Sequence, residues 1–459
     1  MAEIAPLTPL RYDLARLAAG DSDPNAQGLA AVVAPPYDVI DAAQRAELAA
    51  RHPNNVVKLI LPDGEGDAKY AHAADLLDSW RTEGALVRDD VPAFYRYDQT
   101  FTPPGVAGGA AGKPIRRRGF LGLVKLVELD KGIVLPHERT LSGPKEDRLK
   151  LFRSTRTNLS PGFMLYRDPT KALDAALEAA SELTSFKTAD GIHHSVAKIT
   201  DPAALRTIVE GVAKSSLLIA DGHHRYETAL RYSKEAAEKA RTGAGNNPVA
   251  RGEHLYFMVF FTNGDDPDLV VFPTHRHVHS LPSFDFEALA EGAGDLFDVK
   301  ALPGGASAEV LTAELATAGR TAPSLVACSG DGRAALFTLK KGVDLGAHRI
   351  LGKRPEPLRR TDVALLHMGL LEPVLGITPE AQAAKTNIYY PQDAAASLRD
   401  LRSGKGQVLF LMNATPVAQV REVAEAGEVM PQKSTFFYPK VLTGLCIHTL
   451  EPDRAVASV

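Results

Sequence analysis

Asp221-Gly222-His223-His224-Arg225 is the stretch of this 459-residue chain that best combines reactive residue types with close spacing. Four apolar residues, Leu217 to Ala220, precede it, and an Ala-rich helical pattern, Tyr226 to Ala240, follows it. A buried strand therefore turns into a helix here. The unsatisfied N–H groups and the positive dipole end of a helix start suit a bound anion. Gly222 lets backbone approach a ligand closely. Arg225 can grip a phosphate or carboxylate with two donors. His223 and His224 can donate hydrogen bonds or move protons near neutral pH. A plainer reading stands beside this one: Asp-Gly is a common turn, and Asp221 suits a helix cap.

Three other segments concentrate polar chemistry. Residues 134–161 open as a charged loop, and Pro144 starts a helix running to about Arg156. His137 and Glu138 offer a general base there, while Lys145 and Arg148 offer cations for an anion. The alternative is a solvated loop and helix face. Pro35 and Pro36 stiffen a turn that holds Tyr37 and Asp38 in place, as a rigid loop or as a ligand-facing wall. Lys433, Ser434 and Thr435 sit between prolines as a clamp for phosphate or carboxylate, without the glycine run of a P-loop. His275, His277 and His279 alternate as on one strand face. Same-face neighbours lie about 6.5–7 Å apart, so no metal site is expected from them. Arg116-Arg117-Arg118 reads as a solvated strand face.

The elements that must position these groups read as α/β, mixed sheets with flanking helices. Strands are expected at 29–33, 56–61, 94–101, 116–128, 191–200, 216–220, 255–262 and 407–413. Helices are expected at 42–51, 67–83, 171–183, 202–212, 362–375 and 415–426, with Gly-rich loops at 105–112 and 242–248. Four segments follow: an N-terminal lobe (1–130), a central lobe carrying the charged loop and Asp-Gly-His-His-Arg (131–282), an α/β insert (283–352) and a C-terminal segment (353–459) packing back onto the site. Lys and Arg number 52 against 56 Asp and Glu, a net charge of −4, so nucleic acid is not an expected partner. No apolar run reaches the roughly 18 residues of a membrane span, and the first residues lack a signal-peptide pattern. Cys328 and Cys446 are too few for a disulfide framework. A cytoplasmic location is expected, and the oligomeric state is left open.

Five segments together carry a wider pattern: Ala34-Pro-Pro-Tyr-Asp-Val, Leu135-Pro-His-Glu-Arg-Thr with Gly143-Pro-Lys-Glu-Asp-Arg, Asp221-Gly-His-His-Arg-Tyr-Glu-Thr-Ala, Pro273-Thr-His-Arg, and Met430-Pro-Gln-Lys-Ser-Thr-Phe-Phe-Tyr-Pro-Lys. This resembles domain-of-unknown-function family 1015 over nearly the whole chain. The Asp-Gly-His-His-Arg segment is similar to the phosphate-binding element of the ParB/sulfiredoxin superfamily, which includes the free-serine kinases. That resemblance implies a phosphate-binding element around 216–240. The expected function is a small-molecule phosphotransferase, kinase-like, acting on free serine or a similar hydroxylated metabolite with ATP or ADP and Mg²⁺. Asp221, Gly222, His223, His224, Arg225, Lys145, Arg148, Lys433, Ser434 and Thr435 would bind the nucleotide. Glu138, or else Asp38, would take the hydroxyl proton, with His137 and His224 as further catalytic candidates. Two alternatives stay open: a metal-dependent hydrolase or phosphatase using His223, His224, Asp221 and His275, and a non-enzymatic nucleotide- or metabolite-binding regulator.

Overall fold

A computed structural model of the chain describes residues 1–19, 28–103, 112–138, 142–242 and 249–459. Apart from Gly112 and Thr242, the loops expected at 105–112 and 242–248 lie outside the described residues. The architecture is mixed α/β, built on two large sheets.

The larger sheet has nine strands. Its order is Val134–Leu135, Leu217–Asp221, Gly162–Tyr166, Tyr256–Asn263, Ile115–Lys125, Phe94–Phe101, His193–Ile199 and Ser181–Lys187, with Ile4–Ala5 also beside Ile115–Lys125. Leu217–Asp221 runs parallel to Val134–Leu135, and Tyr256–Asn263 runs parallel to Gly162–Tyr166. Every residue of the central Tyr256–Asn263 strand is buried, as its near-continuous apolar run requires when both sheet faces are covered. Period-two alternation splits the aromatic residues between two cores. Phe94, Phe120, Phe257 and Phe261 pack on one face, under the Pro202–Ala213 helix. Tyr95, Tyr97, Phe163 and Phe260 pack on the other, against Phe437 and the C-terminal segment.

The second sheet is antiparallel throughout: Phe297–Leu302, Ala334–Leu339, Ser324–Ser329, Val408–Met412, Arg276–Val278 and Ile388–Tyr389. A ribbon of Val270–Phe272 with Phe436–Tyr438 brings the 430s segment alongside the residues that enter this sheet. Strands from 1–130 and 131–282 thus share the first sheet, and strands from 131–282, 283–352 and 353–459 share the second.

Several expected elements differ. Residues 29–33 and 56–61 form the helical turns Leu29–Val32 and Val57–Ile60. The buried Asn55 explains this. Its Nδ2 donates to the Ala31 carbonyl at 2.7 Å, and its Oδ1 accepts from the Val57 N–H at 2.9 Å, so a side chain satisfies backbone that a strand partner would otherwise pair. The helix expected at 171–183 shrinks to Asp174–Glu178, and Ser181–Lys187 pairs with His193–Ile199 at the sheet edge. The 362–375 helix is α only over Asp362–Leu366 and widens to a π turn at His367–Leu371. Among the described residues no helix is long and apolar enough to cross a membrane.

The close packing of the first sheet gives a direct test. A Cβ on Gly119 would lie 2.3 Å from the Phe261 carbonyl oxygen and 2.4 Å from the Phe260 ring. Gly119→Ala is expected to destabilise the protein by about 1–3 kcal/mol, the usual effect of overpacking. Urea unfolding measures this, and an unchanged midpoint would contradict the packing described here.

Candidate functional site

Asp221 ends the Leu217–Asp221 strand, and Gly222 turns the chain into the His223–Thr242 helix at φ +93°. A Cβ at 222 would stand 3.0 Å from Arg225 Nε, so both conformation and space favour glycine. The Asp221 carboxylate receives Lys440 Nζ at 3.2 Å and has Arg225 Nη2 at 3.5 Å. Burial opposes its charge, but Lys440, Arg225 and Lys433 outweigh burial and hold it well below the usual carboxylate range. Asp221 is therefore an ionised counter-charge at the turn. Arg225 is buried and also donates to the Pro161 carbonyl.

The histidines next to this turn are neutral. His137 Nδ1 lies 2.6 Å from the Ile219 carbonyl, which can only accept, so Nδ1 carries the proton and Nε2 accepts from Thr435 Oγ1 at 2.9 Å. His223 Nε2 accepts from the His137 N–H at 3.1 Å, which puts its own proton on Nδ1. The two rings meet edge to face at 4.6 Å. Burial pushes both down, His223 well below the usual imidazole range. Both ring nitrogens of His137 are used inside the protein, so it ties the 430s segment to the large sheet. His224 is half-buried. Burial lowers it, Lys145 adds to that, and Glu227, Asp38 and Glu138 oppose them.

Glu138 Oε1 accepts from the Ser434 N–H at 2.9 Å. The Met430 N–H donates to the His137 carbonyl at 2.8 Å. Ser434 Oγ donates to the Pro431 carbonyl at 2.5 Å, and Thr415 Oγ1 donates to the Ser434 carbonyl at 3.2 Å. Lys433 is exposed and left-handed at φ +57°. Arg276 Nη2 holds this bend by donating to the carbonyls of Gln432 and Lys433 at 3.3 and 3.2 Å. Arg276 is fully buried, and its Nε donates to His367 Nε2 at 3.0 Å. His367 Nδ1 then donates to Gln382 Oε1 at 2.7 Å. Among the described residues no carboxylate pairs with Arg276.

Arg117 overturns the solvated-face reading of 116–118. Arg116 is exposed, but alternation turns Arg117 inward, where it is buried over Phe163 at 4.9 Å and Phe260 at 5.4 Å. Its Nη2 donates to Gln99 Oε1, while Nε and Nη1 have no hydrogen-bond partner. Gln99 Nε2 donates to the Lys440 carbonyl at 3.0 Å. An unbroken line thus runs from Arg117 through Gln99 and Lys440 to Asp221.

The remaining cations are already paired. Lys145 Nζ meets Glu227, and Arg148 meets Asp147, donates to the Ile60 carbonyl at 2.6 Å and lies 4.3 Å over the Tyr37 ring. Asp38 is exposed beside Tyr37. Around the turn, Arg117, Arg225, Arg276, Lys433 and Lys440 have Asp221 and Glu138 as their carboxylate neighbours among the described residues, an excess of positive charge with the three arginines buried. Sequence reasoning missed the roles of Lys440, Gln99, Arg117 and Arg276. Lys440 closes the 430–440 segment and Arg276 the Pro273-Thr-His-Arg segment, both singled out in the sequence, and strand alternation marks Arg117; nothing local marks Gln99.

Among the described residues no group of three or more His, Cys, Asp or Glu side chains is placed to hold a metal ion. Among the described residues His223, His224, Asp221 and His275 therefore do not form such a group. His223 Nε2 is taken by the His137 amide, and His275 Nδ1 accepts from the Met412 N–H at 3.1 Å.

Two outcomes follow from this geometry. Arg225→Ala leaves the buried Pro161 carbonyl without this donor and Asp221 with Lys440 alone, and is expected to cost about 1–3 kcal/mol, read by thermal denaturation. An unchanged melting temperature would mean Arg225 is dispensable to the fold. The second outcome concerns pH. His137 and His223 are lowered, His275 to about 4 and His367 to about 3, each with burial as the leading cause. Below the unfolded value of about 6.5, the unfolded chain binds protons that the folded chain refuses. Their contribution is complete above that pH and is lost as pH falls towards 4, at about 1.4 kcal/mol per pH unit per histidine. Urea midpoints at pH 7.5, 6 and 5 should fall steadily; a flat series would show these rings to be solvated.

Comparison with known proteins bears on family more than on chemistry. No curated protein matches the chain. A conserved hypothetical protein from Pyrococcus furiosus aligns at 12% identity over 71% of this chain and 94% of that one, with a TM-score of 0.35. A free serine kinase in complex with AMP aligns at 13% identity over 71% and 91%, and a variant in complex with ADP at 12% over the same shares, both with a TM-score of 0.36. Overlaps this loose transfer no residue roles. The family model described as "Protein of unknown function (DUF1015)" matches residues 16–364. That match spans most of the sequence, and the chain belongs to this family.

Proposed function

We propose that the site binds a nucleotide through its phosphates and transfers a phosphoryl group to a small hydroxylated metabolite, with free serine the first candidate. The observation that carries this reading is the excess of cations around an ionised Asp221 at a helix start. Buried cations outnumbering their counter-ions are costly alone, and an anionic ligand offsets that cost. Phosphoryl transfer requires chiefly positioning and charge stabilisation, which this inventory supplies. The 221–225 turn, with Lys433 and Lys440, would hold phosphate oxygens. Glu138 would accept the hydroxyl proton, its Oε1 already oriented by the Ser434 N–H. The half-buried His224, and Lys145 and Arg148 in their ion pairs, would shape the rim. The choice of serine follows the likeness of Asp-Gly-His-His-Arg to the free-serine kinases. Mg²⁺ usually binds through substrate phosphates, and carried in with them it would temper their charge.

Glu138→Gln tests the chemistry. The amide oxygen still accepts from Ser434, so the loop keeps its anchor while the base is lost. A general base contributes about 10²–10⁴-fold to rate. The variant should bind nucleotide as wild type does and lose phosphoserine formation from serine with ATP or ADP by at least about a hundredfold. If wild type binds nucleotide but phosphorylates neither serine nor related hydroxy metabolites, the kinase reading fails and a binding regulator takes its place. Equal activity of wild type and variant moves the base to Asp38.

A further inference from the structure

Arg117 is a buried cation that pairs with no carboxylate among the described residues. It stands on Ile115–Lys125, and two strands lie between it and the strand of Asp221. Its side chain crosses that gap. The guanidinium lies 4.9 Å over the Phe163 ring and 5.4 Å over the Phe260 ring, one on each intervening strand. Phe163 is the register partner of Asp221 on the neighbouring strand. Paired residues share a sheet face, so the Arg117 charge sits against the neighbour of Asp221. Aromatic rings accept the face of a cation but offer no acceptor in its plane. Nη2 donates to Gln99 Oε1, while Nε and Nη1 have no hydrogen-bond partner among the described residues. Unmade donors on a buried charge are costly. Burial lowers Arg117 to about 10, which leaves it a cation at neutral pH. Asp221 is the carboxylate whose charge reaches it, and Asp221 already faces Lys440, Arg225 and Lys433.

We infer that Arg117 and Gln99 are positioning residues for an anion at the 221–225 turn: Gln99 fixes the backbone of Lys440, and the Arg117 charge raises affinity in step with the ligand's negative charge. This rests on the phosphate reading above and adds a basis for preferring a polyphosphate to a less charged anion. Gln99 Nε2 donates to the Lys440 carbonyl at 3.0 Å, and Lys440 Nζ reaches Asp221 at 3.2 Å. Arg117 can only donate, so it holds the Gln99 oxygen and leaves the amide nitrogen turned to Lys440. Arg117 is 2% exposed and Gln99 fully buried, so both act without touching the ligand. A charge away from water is weakly screened and acts at longer range than one on the surface.

Calorimetry on the full chain with inorganic phosphate, pyrophosphate and tripolyphosphate reads both parts. Arg117→Met keeps much of the bulk, and replacing a buried charge by a hydrophobe of similar size is often neutral or stabilising. It should weaken the three ligands unequally, by about two- to tenfold more for each added unit of ligand charge. Gln99→Glu sets a carboxylate against Arg117 and should flatten the ranking in the same way, which covers an Arg117→Met that does not fold. Gln99→Leu should weaken pyrophosphate about two- to tenfold. Adding Lys440→Met to it should cost less than the two separate losses combined, as for residues that act through one another. Equal weakening of all three ligands by Arg117→Met, or none, overturns the charge role, and losses that simply add overturn the Gln99 route. In both cases the phosphate reading stands. If wild type binds none of the three, that reading falls and takes this one with it.

Discussion

An ionised carboxylate at Asp221 is the point on which this molecule is organised. It sits at the end of a strand of the large sheet, and the cation that touches it, Lys440, arrives from more than two hundred residues away. Two neighbouring contacts follow the same route: Thr435 to His137 and Ser434 to Glu138. With the Met430 N–H on the His137 carbonyl, the 430–440 segment is thus pinned four times to the two strand ends that frame the turn. Removing one member of this partly buried pair leaves the other charge uncompensated. The pairing is therefore a constraint on how the two sheets meet as well as a feature of the site.

The second sheet serves this arrangement from behind. Its Arg276 reaches back to the carbonyls of Gln432 and Lys433, and the His367–Gln382 pair fixes the guanidinium in turn. His367 begins a π turn, a local widening often seen at functional positions. The left-handed Lys433 is what this support maintains. A lysine in that conformation carries a backbone cost that glycine would not. The 276–278 strand thus acts on the turn through hydrogen bonds alone, with its histidines turned to structural use.

What the sequence made legible was local. The strand-to-helix change at 221–223 was written in four apolar residues, an Asp-Gly break and an Ala-rich repeat, and the central strands at 94–101 and 255–262 were written in apolar runs and alternation. Turns such as 29–33 and 56–61 were not, because Asn55 decides them through its side chain and short apolar runs read alike in helix and strand. The cluster around the turn was legible in part. Asp221, Arg225, Glu138 and Lys433 stood out by type and company. Arg117 looked like one of three solvated arginines, and only the sheet partner Gln99 and the aromatic rings beneath it make it interior. Gln99 has ordinary neighbours in sequence, and Arg276 stood out only as the end of Pro273-Thr-His-Arg, so their places depend on pairings that no local pattern encodes.

The strand order carries a consequence for how such a chain comes to have a site at all. Tyr37, Glu138, Asp221 and Lys440 meet only after segments spanning four hundred positions have been brought together. Contacts of such long sequence separation form late, since their loops must close first. Until the 430s segment docks, the charged end of the sheet has its arginines and its aspartate but not the lysine between them. The charged turn is thus among the later parts of the molecule to become whole. A ligand that bridges its pieces would stabilise the finished chain over every partly assembled form, so occupancy would report on completeness as well as on concentration.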